Sequence, residues 1–155
     1  ARRAGLLGEG LLSANAALAE PYRQGLIEGG HDPATARMAG GITGWITEDP
    51  EADWPAVSKH FAYQMDSYRR YMFEGTGQPA PRPVDPAKMR DRELGGVLGS
   101  FLHATPDVAA QKIRQYTAGA PVESVFFWAS LAGMPEKMVA QQLQTICNKL
   151  RPLLA

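Results

Sequence analysis

Few side chains in this sequence are spaced for chemistry. The histidines, His31, His60 and His103, stand far apart, form no i,i+4 pair and have no cysteine beside them, so they do not read as a metal site. His60 adjoins Phe61 in a helical stretch and reads as a surface or half-buried histidine. The single cysteine, Cys147, excludes an internal disulfide and a thiolate zinc site. It falls between apolar-face positions of a helical stretch and reads as an inert core thiol. No Ser-His-Asp or Cys-His arrangement follows from spacing. Gly40-Gly41-Ile42-Thr43-Gly44 is not G-x-G-x-x-G, and it lies within a strand-like stretch, so it fails the context test for a dinucleotide loop. Glu48, Asp49, Glu51 and Asp53 admit acid–base chemistry, but they surround Pro50, where a helix starts, and acid there serves the helix dipole. Arg69-Arg70 reads as a solvated pair on a helix.

The elements that must position these residues follow from the apolar pattern. Residues 1–7 read as the end of a helix stopped by Gly8-Glu9-Gly10. Leu11-Leu12-Ser13-Ala14 is a short buried strand, and Asn15 can cap the next helix. That helix tolerates Pro21 only in its first turn, and it buries Tyr22, Leu26 and Ile27 before Gly29-Gly30. Residues 38–47 are the next strand, whose Gly40, Gly41 and Gly44 mark a bulge or a close backbone approach. Asp49-Pro50-Glu51 opens a helix with Trp54, Val57, Phe61, Met65, Tyr68 and Met72 on one stripe. Residues 75–84 are a Pro/Gly-rich internal loop. Asp85-Pro86 begins a short polar helix that Gly95-Gly96 breaks. Thr105-Pro106-Asp107 begins another, with Ala109, Ile113 and Tyr116 inward and residues 118–121 ending it. Residues 122–129 read as a strand buried on both faces. Met134-Pro135-Glu136 opens the last helix, with Val139, Leu143, Ile146 and Leu150 on one face.

Strands separated by helices need crossover connections, so the expectation is an α/β fold with parallel strands covered by helices, in a single domain over residues 1–155. Three strands covered on one side leave the other sheet face bare, which calls for more chain. The first residues have no initiator methionine and read as the middle of a helix, so a fragment of a longer chain is expected, a processed terminus being the other reading. The formal net charge is zero and the charges are dispersed, which argues against nucleic acid and anionic membranes as partners. No apolar run reaches the roughly 20 residues of a membrane helix, and no secretory signal opens the chain. With one cysteine, the cytoplasm is the expected location.

Three stretches resemble luciferase-like monooxygenases, in that family's order. Residues 1–13 (ARRAGLLGEGLLS) are similar to a helix-to-strand passage, with Glu9 where the family usually has Asp. Residues 47–54 (TEDPEADW) are similar to the acidic helix start after the seventh strand. Residues 105–109 (TPDVA) and 119–128 (GAPVESVFFW) are similar to the helix that runs into the last strand, with His103-Ala104 replacing the usual Val-Gly.

The resemblance implies the C-terminal part, about strands six to eight, of a (β/α)8 TIM barrel. It implies FMN or a deazaflavin at the C-terminal ends of the strands. The family's phosphate-binding helix start would precede this chain. The residues at the strand ends are then the candidates for cofactor binding: Ser13 and Asn15 after the first strand, Trp128 and Ser130 after the last. Asn15 reads equally as a helix cap, and Trp128 as strand core. Thr47 and Glu48 end the middle strand; no catalytic residue is assigned. The implied function is a flavin- or deazaflavin-dependent oxidoreductase or monooxygenase acting on a small-molecule substrate, in which the chain supplies barrel wall and part of the cofactor face. The other class is a non-catalytic half-barrel module. It would work as a homo-oligomer or by pairing with the missing barrel half, through open strand edges near residues 11–14 and 122–129.

Overall fold

The computed structural model describes residues 1–89 and 101–155, a mixed α/β fold with a parallel sheet. The Gly95-Gly96 helix break lies outside the described residues. The elements in chain order are α1 (Arg2–Leu6), β1 (Leu11–Leu12), α2 (Ala19–Glu28), β2 (Met38–Ile46), α3 (Pro50–Phe73), β3 (Leu102–Ala104), α4 (Pro106–Thr117), β4 (Val122–Trp128), α5 (Glu136–Thr145) and α6 (Arg151–Leu154). A π turn over Ile146–Leu150 joins the last two helices. β2 is the hub of the sheet, since β1, β3 and β4 all pair with it. Two compact units form, one from Ala1–Ile42 with Gln111–Trp128, the other from Thr43–Ala110 with Ala129–Ala155.

In the first unit β1 runs parallel to β2, with Leu11 opposite Met38 and Leu12 opposite Ala39. β1 is shorter than the expected strand; Ser13 turns back at once, its N–H donating to the Leu11 carbonyl at 2.9 Å. Tyr22 and Leu26, one turn apart on α2, bury against Ala19 and Met38, while Ile27 points out to solvent. The Tyr22 hydroxyl donates to the Glu9 carbonyl at 2.8 Å and so ties α2 to the approach of β1. β4 departs from the sequence reading. Residues 124, 126 and 128 are exposed in alternation, so the strand is covered on one face only. The aromatic run disguises that alternation, because both faces of β4 carry large apolar side chains.

In the second unit the end of β2 runs parallel to β3, with Gly44, Trp45 and Ile46 opposite Leu102, His103 and Ala104. The sequence reading has no β3, since a three-residue strand exists only through this pairing. α3 starts as its residues dictate: Asp49 Oδ1 accepts from Ala52 N at 3.0 Å, with Pro50 at the first helical position. Trp54, Val57 and Phe61 bury in the core with Trp45, Met89, Phe101 and Leu131, and the Phe61 and Phe101 rings stack at 4.2 Å. The stripe leaves the core beyond Met65, where Tyr68 and Met72 are exposed. Helix length, not composition, decides this: α3 has 24 residues and outruns the sheet layer it packs on. Residues 74–85 hold no helix or strand, and Val84 N donates to Asp66 Oδ1 at 2.8 Å, fastening the connection to α3.

α5 also departs from expectation. Leu143 is exposed, and the residue buried in its place is Gln142. Cys147 is exposed rather than a core thiol. It lies in the π turn, whose extra residue rotates the helix face and brings Leu150 inward.

Candidate functional site

Successive residues of β2 face opposite sides, and the glycines at its middle define both. Met38, Gly40 and Ile42 are buried, whereas Gly41 is exposed. A Cβ on Gly40 would overlap the backbone of Ser13 and Ala14, so the chain leaving β1 lies directly on β2 there. A Cβ on Gly41 would lie 2.8 Å from Phe126 Cε2 and 2.9 Å from Trp128 Nε1. Glycine therefore lets two aromatic rings settle on the strand. These rings meet edge to face, with centroids 5.8 Å apart and planes at 77°. Trp128 is 61% exposed and Phe126 42%. Large apolar side chains left open in this way make the face a candidate binding surface.

Each residue singled out in the sequence has a definite place. Asn15 caps the 3-10 turn Ala16–Leu18, its Oδ1 accepting from Ala17 N at 3.0 Å. The Ser13 hydroxyl oxygen accepts from Asn15 N at 3.2 Å. Ser13 and Asn15 thus gather at the end of β1, and their segment reaches β2 on the Gly40 side. Trp128 keeps company with Phe126 on the Gly41 side and is surface rather than core. The structure does not join the two groups into one contact. Ser130 is exposed and belongs to the second unit.

In that unit the acidic run after β2 divides into separate structural roles. Asp49 is the helix cap. The Thr47 hydroxyl donates to Asp53 Oδ2 at 2.5 Å and the Trp45 indole N–H donates to the same oxygen at 3.2 Å. Glu48 pairs on the surface with Lys149 at 2.8 Å. His31 is exposed, and the His103 ring lies 5.1 Å from that of Trp54. Among the described residues no group of three His, Cys, Asp or Glu side chains is placed to hold a metal ion.

Displaced proton equilibria lie away from the aromatic pair. Hydrogen bonds from Arg2 and then Gln24 hold the Glu28 carboxyl below its ordinary range, and the same pairing raises Arg2. Burial pushes the Tyr116 phenol up. Sequence reasoning missed Phe126 as a partner of Trp128, although their spacing of two residues was a legible sign of a shared face. It also missed Gln142, for which no local signal exists.

No described helix is long and apolar enough to cross a membrane. No family model matches the sequence, and no curated protein does. Among solved structures the chain is similar to a type II Baeyer–Villiger monooxygenase, the oxygenating constituent of 3,6-diketocamphane monooxygenase from the CAM plasmid of Pseudomonas putida, in complex with FMN. The TM-score is 0.56 at 18% sequence identity, over 99% of this chain and 45% of that one. The likeness is one of fold, and the chain spans less than half of that neighbour's length.

Proposed function

We propose that residues 1–155 form the C-terminal part of a (β/α)8 barrel, a single partial domain in which β1, β2 and β4 are strands six, seven and eight. On this reading β3 is a short addition beside the end of strand seven, and the protein is a flavin-dependent oxidoreductase of the luciferase-like kind acting on a small-molecule substrate. The observation that carries it is the bare aromatic face. In a closed barrel a sheet face without helices is the interior, and cofactors sit where that interior opens at the strand ends. The fold likeness to an FMN-bound monooxygenase supports the same reading. So do β1 and β4, each of which pairs, among the described residues, with β2 alone and keeps an edge for further strands.

The residues present fit the ring of a flavin better than its phosphate. Trp128 and Phe126 offer an apolar wall over Gly41, while Ser13 and Asn15 lie toward the Gly40 side and hold the turn after β1. Three guanidiniums of that unit have other neighbours. Arg2 pairs with Glu28, Arg23 reaches the Gly119 carbonyl, and Arg37 lies beside Gly10, the last two before the starts of β4 and β2. A bound flavin or deazaflavin would supply hydride transfer or oxygen activation. This chain's part is to wall and orient the ring.

Titration of the full-length polypeptide with FMN and with a deazaflavin, followed by tryptophan fluorescence, tests the proposal. Binding at about micromolar Kd is expected with one of the two, and Trp128→Ala should weaken it about tenfold, a loss of roughly 1.4 kcal/mol. Absence of binding to both, or indifference to Trp128→Ala, refutes it. Sedimentation of the 155-residue chain separates off the module reading: stable self-association in a protein that takes up no flavin would replace the enzyme by an assembly module.

A further inference from the structure

The far half of α3 and the Pro/Gly-rich connection after it enclose a cleft within the second compact unit. The cleft is about 190 Å³ in volume, lined on one side by Tyr63, Asp66, Ser67 and Arg70 and on the other by Pro81 and Pro83. Tyr63, Ser67 and Arg70 follow one another at helical spacing, so they share a face and extend about 10 Å along the helix axis. The opposite wall is stiff, because Pro79, Pro81 and Pro83 fix the backbone at alternate residues. Asp66 fastens that wall to the helix, its Oδ1 accepting from Val84 N at 2.8 Å. Arg69 Nη1 stands 4.0 Å from the same oxygen, so the Asp66 charge already has a partner. The Ser67 hydroxyl proton is committed to the Tyr63 carbonyl at 3.0 Å and offers a ligand no donor. Arg70 is different. Its guanidinium carbon lies 5.9 Å from the centroid of the Tyr71 ring, and among the described residues no carboxylate or carbonyl takes its N–H groups. The cleft thus combines the rigid rings of Tyr63, Pro81 and Pro83 with an exposed cation.

We propose that this cleft binds a small aromatic monocarboxylate, its ring between Tyr63 and the prolines and its carboxylate on the Arg70 guanidinium. The volume lies below that of pockets for drug-sized ligands and suits a single ring with one substituent. Charge selects an anion, since Arg69 and Arg70 outweigh Asp66 by one positive charge. A planar guanidinium matches a carboxylate with two parallel hydrogen bonds. Arg70 stays exposed to solvent, so the ion pair adds affinity only severalfold, and the rings supply the rest. The site stands within one compact unit and is independent of the flavin reading.

Titration of the full-length polypeptide with benzoate, followed by NMR, tests the site. Benzoate should bind with a Kd of about 1 mM, and its neutral isostere benzamide about fivefold more weakly. Arg70→Gln should abolish that preference, and Tyr63→Ala should weaken both ligands. Asp66→Asn keeps an acceptor for Val84 N and removes the like charge, so it should tighten benzoate about threefold. Trp128→Ala should leave benzoate binding as it is. Equal affinity for the two ligands, a preference that survives Arg70→Gln, or no benzoate binding by about 20 mM overturns the proposal. Benzoate binding that Trp128→Ala abolishes also overturns it, because the ligand then sits on the aromatic face of β4. A peptide ending in phenylalanine that binds more tightly than benzoate, and loses that affinity in Arg70→Gln, makes the cleft a protein-docking site and overturns the small-molecule assignment.

Discussion

Replacing Gln142 by leucine should destabilise the protein by leaving two buried backbone groups without partners. Gln142 is 0% exposed. Its Nε2 donates to the Gly44 carbonyl at 3.0 Å and its Oε1 accepts from Ile46 N at 3.0 Å. The side-chain amide thus stands where a neighbouring strand would present a peptide group, opposite two backbone groups that are themselves buried. Leucine keeps the volume and leaves both groups without partners. Each orphaned group costs about 1–3 kcal/mol, and the better burial of leucine returns about 1 kcal/mol. The net loss is about 1–5 kcal/mol. With a urea m-value of about 2 kcal/mol/M, the unfolding midpoint should fall by about 0.5–2.5 M. Gln142→Glu sharpens the test. Its carboxyl can serve Ile46 N in either form but can donate to Gly44 only when protonated, so its folded pKa must rise above the ordinary value. The stabilising bond is then fully present below about pH 4 and is lost as pH rises through the raised pKa, by at most about 1.4 kcal/mol per pH unit. A Gln142→Leu midpoint within about 0.25 M of wild type, or a Gln142→Glu penalty that does not grow with pH, would refute the reasoning.

Gly44→Ala should cost about 1–3 kcal/mol in urea unfolding, because its Cβ would overlap the Leu102 backbone carbonyl, which cannot move without breaking the β2–β3 pairing. Gly41→Ala meets only exposed, rotatable rings, so it should leave stability within about 0.5 kcal/mol while shifting the Trp128 emission. Asp53→Ala removes the acceptor for both Thr47 and Trp45, and a loss of about 2 kcal/mol is expected by thermal unfolding. In an NMR titration the Glu28 carboxyl should protonate at lower pH than its ordinary range, and Arg2→Ala should move it back toward that range; whatever stability the pair gives is present above the ordinary value and lost as pH falls through the lowered one.

Local chemistry was legible wherever a residue acts on its own neighbours in sequence. The Asp49-Pro50 start of α3 and the capping by Asn15 need only the next few backbone N–H groups. The strand glycines were legible as places of close approach, but what approaches was not. For Gly40 it is the chain leaving β1, for Gly41 two rings of β4, and for Gly44 the backbone of β3. β3 itself was invisible, since three residues carry no period and gain their conformation from a partner far along the chain.

The caps and the order of the longer elements were thus set by the sequence alone, because they depend on contacts within a turn or two. Which faces are covered was settled only by the tertiary structure. The stripe on α3 runs on past its buried part, and Cys147 lies exposed in the π turn after α5. A fully buried glutamine does the work of a strand at the edge of β2. Trp128 and Phe126, apolar enough for any core, lie open because burial is a property of what stands opposite, and no residue specifies that by itself.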